Sequence, residues 1–159
     1  MEVKPVRSRP PRGEGNRFGL HMTAIEARAI RGAYREKLAM LVLDEETSTG
    51  DTYAAMDDTA FKLANAKPTE RTEVLDSELK EISETLLAFS EHTAEQTRAH
   101  LHRTAAMAYN NEQVVERIQL GKIAKDMSNT LAKFLLSRDL EALPQTDASP
   151  SAANSYQPK

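Results

Sequence analysis

The stretch "AMAYNNEQVVERIQLGK", residues 106–122, decides how this chain is organised. Strong helix-forming sequence flanks it on both sides. Asn110-Asn111 sits in its middle, and Gly121 near its end. The question is whether one helix runs through or the chain folds back into a hairpin. Asn is a good helix N-cap, and Asn110 with Gln113 comes close to capping-box spacing, which favours a break. Ala105 to Ala108 just before it are strongly helical, and no Gly or Pro marks a turn, which favours continuity. Two mid-helix Asn residues cost only about 0.5–0.7 kcal/mol each and Gly121 about 1 kcal/mol. An unbroken helix of about 75 residues would reach roughly 110 Å, a length found mostly in coiled coils.

Working outward, residues 69–143 contain nothing that forbids helix until Pro144. Leu75, Leu79, Ile82, Leu86, Phe89 and Thr93 alternate steps of four and three, a heptad seam. A second seam runs through Val115, Ile118, Met127, Leu131 and Leu135. From Glu70 to Glu95 there are eight acids and two bases, and from Gln96 to Arg138 seven bases and three acids. Acids early and bases late complement a helix dipole. They also suit antiparallel pairing of the acidic half with the basic half, within one chain or between two.

Upstream, Thr23 and Glu26 have capping-box spacing and open a helix over about 23–45. Its stripe is Thr23, Ala27, Ile30, Tyr34, Leu38 and Leu41. A shorter helix is expected over 51–66, with Asp51 as N-cap and Pro68 beyond its end. Period-two apolar alternation is not evident, so no strand is expected. The fold class is therefore all-α: a helical bundle or antiparallel coiled coil. Two short N-terminal helices precede a long C-terminal helical segment, divided as 69–109 and 111–142. Residues 1–21 read as a disordered basic arm, residues 22–143 as the helical domain, and residues 144–159 as a disordered tail.

Composition excludes several functions. Net charge is −3, so the chain as a whole is not a polyanion binder. There is no cysteine, which rules out disulfides, thiolate metal sites and Cys nucleophiles, and fits an intracellular, cytoplasmic protein. The longest apolar run, residues 38–43, is far short of the about 20 residues of a membrane span. Glu2, Glu14 and the paired prolines argue against an import helix in the Arg-rich start.

Catalytic and cofactor motifs are not evident, so no enzyme activity, cofactor or metal is expected. His92, His100 and His102 lack the i, i+4 spacing of a helical metal site. Gly13, Gly15 and Gly19 follow prolines rather than a strand, so they do not read as a phosphate loop. A helix-turn-helix reading fails because the second helix opens acidic, at Asp51, Asp57 and Asp58.

What remains is a non-enzymatic assembly or adaptor protein. It would act through a helical seam of Leu75, Leu79, Ile82, Leu86, Phe89, Ile118, Met127, Leu131 and Leu135, with itself or with a protein partner. One alternative is a nucleic-acid-associated oligomer that grips phosphates with Lys4, Arg7, Arg9, Arg12 and Arg17. Another is a metal-binding helical bundle.

Overall fold

A computed structural model describes residues 1–6, 15–43, 58–103 and 112–142. Strand β1 is Glu2–Pro5 and strand β2 is Arg17–His21. Helix α1 is Ala24–Leu43, and residues 58–64 form a helical segment, α2. Strand β3 is Thr72–Leu75, running directly into helix α3, Asp76–Arg103. Helix α4 is Glu112–Ala142.

Helix α1 starts where its capping box places it. The Thr23 amide donates to Glu26 Oε2 at 2.8 Å, and the Glu26 amide donates to Thr23 Oγ1 at 3.3 Å. These two bonds satisfy donors that the first helical turn leaves open. Ala27, Ile30 and Tyr34 of its stripe are fully buried. Burial, with the Glu81 and Glu78 carboxylates adding to it, pushes the Tyr34 hydroxyl well above its ordinary range. Among the described residues, no hydrogen-bond partner meets its oxygen in good geometry. The neighbouring Thr85 hydroxyl is engaged elsewhere, donating to the Glu81 carbonyl and accepting from Lys37.

Helices α3 and α4 run antiparallel, as three contacts along them show. Near the far end, Gly121 lies against Thr93, where an added Cβ would sit 3.1 Å from Thr93 Cγ2. In the middle, Ser83 Oγ and Ser128 Oγ are 3.1 Å apart, and Ser128 also donates to the Ser83 carbonyl at 2.8 Å. At the near end, Arg138 forms a two-pronged ion pair with Asp76, one arm at 3.0 Å. Small residues at the first two positions let the backbones approach. Gly121 is thus more than a weak point in a helix: it is where α3 and α4 come close. The Asn110-Asn111 turn expected from the sequence lies outside the described residues, as do Asp51 and the tail 144–159.

The fold class departs from the all-α expectation. A three-stranded antiparallel sheet, ordered β1-β2-β3, closes the end of the helical pair. Its register places Val3 opposite Leu20, and Phe18 opposite Val74. Phe18, Leu20, Thr72 and Val74 are buried on the inner face. Gly19 points the other way, and the Arg71 side chain lies directly over it. Phe18 packs edge-on against Phe134 of α4, with ring centroids 5.5 Å apart, and the Arg138 guanidinium sits 4.8 Å above the Phe18 ring.

Each strand is four or five residues long, so only two side chains per strand show the alternation. That is too short a pattern to stand out in sequence. The sheet has three consequences for the sequence reading. Residues 2–5 and 17–21 of the expected disordered arm are paired strands. The long helical segment begins at Asp76 rather than Thr69. Leu75 belongs to β3 and does not continue the α3 seam.

The ion pair where sheet and helices meet is testable. Hydrogen bonds from Arg138 hold the Asp76 carboxyl below its ordinary value of 3.8, outweighing the opposite effect of burial. A depressed folded-state pKa contributes stability that is complete above the unfolded value and lost as pH falls through the folded one. Asp76→Asn is therefore expected to lower stability by about 0.5–1 kcal/mol at neutral pH, the range of a solvent-screened pair. The difference from wild type should shrink below pH 3.8 and vanish once Asp76 is protonated in the folded chain. Urea melts across pH 2–7 read this directly.

Candidate functional site

The seam residues named from the sequence lie mostly inside the chain. Leu79, Ile82, Leu86 and Leu131 are fully buried, Met127 is 1% exposed and Phe89 is 7% exposed. Leu135 is half-buried against the same core, and Ile118 is also half-buried. Leu75 is half-buried on β3. Leu79, Ile82, Leu86, Phe89, Met127 and Leu131 belong to one core cluster of this chain, with Leu135 packed against it. Of the basic arm, Lys4 lies on β1 and Arg17 on β2, while Arg7, Arg9 and Arg12 fall outside the described residues. The Val6 amide donates to the Arg17 carbonyl at 3.0 Å, so the basic segment connects two paired strands.

An open groove of about 530 Å³ lies between α1 and α3. Ala33, Ala88 and Phe89 form its apolar floor, with Met40, 54% exposed, at the edge. Glu36, Glu81, Glu84, Glu91 and Glu95 line its rim. Some of these carboxylates are engaged. Glu81 takes a bond from Lys37 at 2.8 Å, and Glu36 lies 3.2 Å from His92 and 3.5 Å from Arg117. Glu84 has only Lys80, at 3.9 Å, and Glu91 and Glu95 have no ion-pair partner among the described residues. The rim of the groove therefore carries surplus negative charge. On the same side of α3, Glu78 is drawn into the structure. Burial works to raise its pKa, but bonds from Thr59, the Leu75 amide and Lys62 outweigh it and hold the carboxyl below its ordinary range.

The outward face of α4 differs. Lys122, Lys125 and Lys133 are exposed there, with no ion pair among the described residues; Asp126 lies beside them, and Glu112, Asp139 and Glu141 are exposed toward the helix ends. Val115, Leu136 and Leu140 on the same helix are 48%, 59% and 61% exposed. Helical spacing puts Val115, Lys122, Lys133, Leu136 and Leu140 within one arc, away from Ala124, Met127 and Leu131. This is a second amphipathic stripe, apolar and cationic, on a helix whose inner face is already used. The sequence showed the acidic and basic halves. It did not show that they remain unspent, since Asp76–Arg138 is the ion pair joining α3 to α4 among the described residues.

Among the described residues, no three His, Asp or Glu side chains converge as metal ligands. No described helix is long and apolar enough to cross a membrane. Comparison with family models, curated proteins and solved structures finds no match for the chain.

Proposed function

We propose that the chain is a non-enzymatic helical assembly or adaptor protein. In this reading α3 and α4 form an antiparallel coiled-coil pair with α1 laid across it, and the chain associates with a second copy of itself. The acidic groove between α1 and α3 of one copy receives the cationic, apolar outer face of α4 of the next. What supports this is the surplus of opposite charge on two different surfaces. Glu84, Glu91 and Glu95 flank an apolar floor on one, and Lys122, Lys125 and Lys133 flank exposed leucines on the other. Such contact closes as a two-fold dimer if each copy's groove takes the other's α4, and builds rings or open chains if it runs head to tail. Rim charges of this kind chiefly set register and association rate, while the apolar centre supplies affinity.

The test is light scattering on the size-fractionated full chain. Association is expected at about 50 mM salt and should weaken at about 500 mM, where charges are screened over a few ångströms. Glu91→Lys with Glu95→Lys should give a monomer, as should Lys122→Glu with Lys125→Glu. Mixing the two variants should restore association, because each reversed surface then meets its complement. A monomer at low salt, or association indifferent to both reversals, would overturn the proposal.

A further inference from the structure

A second cleft, of about 500 Å³, lies on the opposite flank of α1, bordered by Asn65 and by Leu120 of α4. Among the described residues, every charged one lining it is an arginine: Arg28, Arg31 and Arg35. Their spacing of three and four places all three guanidinium groups within one narrow arc of α1. Like charges stacked this way destabilise a helix by about 0.2–0.5 kcal/mol per pair. That repulsion is only partly relieved. Arg28 is paired with Glu116, and Arg31 Nη1 donates to the Ala66 carbonyl at 2.9 Å. Arg35 is exposed and meets no carboxylate among the described residues. In a chain of net charge −3, this is a local positive surplus facing a concave surface.

Arg31 has a simple structural role, since its bond to Ala66 secures the chain just beyond α2. That role uses one of five guanidinium donors and accounts for neither Arg28 nor Arg35. Planar guanidinium forks match the oxygens of a phosphate, and the cleft volume falls in the usual range of small-molecule sites, about 300–1,000 Å³.

We propose that this cleft binds a small, multiply charged oxyanion of the pyrophosphate class, held by Arg28, Arg31 and Arg35, with the Asn65 amide at its edge. The site is independent of the association surface described above.

Calorimetric titration of the full chain with inorganic pyrophosphate, at about 50 mM salt, tests it. One site per chain is expected. Arg35→Ala, on an exposed position that leaves the fold intact, should weaken binding at least about tenfold, the loss of one charge-assisted contact. Arg31→Lys keeps the charge but not the fork, and should also weaken binding. Replacing Arg7, Arg9 and Arg12 together by Ser should leave the affinity unchanged. Absence of binding at millimolar pyrophosphate would overturn the proposal, as would unaltered binding by Arg35→Ala. So would loss of binding in the Arg7, Arg9, Arg12 variant, which would move the site to the basic connection and favour nucleic-acid backbone as ligand.

Discussion

A chain trimmed to residues 22–143 is expected to lose cooperative unfolding. On the sequence reading the first 21 residues are a disordered arm and their removal changes nothing. In the structure, Leu20 is fully buried and Phe18 is 5% exposed, and both belong to the main core. Removing a buried Leu or Phe side chain costs about 2–5 kcal/mol each, counting transfer and the cavity left behind. The loss would not stop there. β3 would lose β2, its one partner strand among the described residues. Phe134 would lose its ring contact, and Arg138 one of the two rings beneath it. The sum is of the order of a whole domain's net stability, about 5–15 kcal/mol. Urea unfolding followed by circular dichroism should give a broad, low-midpoint transition for the trimmed chain. The single substitution Leu20→Asp should do nearly as much, by burying an unpaired charge. A trimmed chain with the wild-type midpoint would show that the sheet adds nothing to the core.

The second large effect concerns the seam. Leu131→Ala is expected to destabilise the chain by about 2–5 kcal/mol. Leu131 is fully buried by the chain's own residues, so this loss should not depend on protein concentration. Leu140, 61% exposed on the same helix, is the control, and Leu140→Ala should stay within about 0.5 kcal/mol at dilutions where copies are separate. The two leucines look alike in sequence, both apolar on the same long helix. Their different responses would separate a core position from a surface one. If the Leu131→Ala midpoint rises steeply with concentration, the seam is completed by a second copy and Leu131 belongs to that interface.

The helical part of the fold was legible because its signals are local. The Thr23–Glu26 capping box needs four residues, and both of its hydrogen bonds form. The spacing of Leu79, Ile82, Leu86 and Phe89 is enough to mark one face of α3, and that face is buried. The sheet was not legible for the same reason in reverse. Arg17–His21 and Thr72–Leu75 are each too short to show a period, and each is stable as a strand only beside the other, across a gap of fifty residues. Nothing within either segment reports that pairing.

The candidate surfaces divide in the same way. Residue order alone dictates that this chain forms amphipathic helices with apolar seams, and that acids gather early and bases late along its second half. Periodicity and charge order are properties of neighbouring residues, and neighbouring residues are all a helix needs. Tertiary packing is what buries most of the seam within the chain, and what leaves Glu91 and Glu95 without an ion-pair partner among the described residues, beside an apolar groove. It also set Arg28, Arg31 and Arg35 along one cleft, with a carboxylate, Glu116, on Arg28. Those outcomes depend on which helix lies against which, and burial and pairing are set by contacts between segments far apart in the chain.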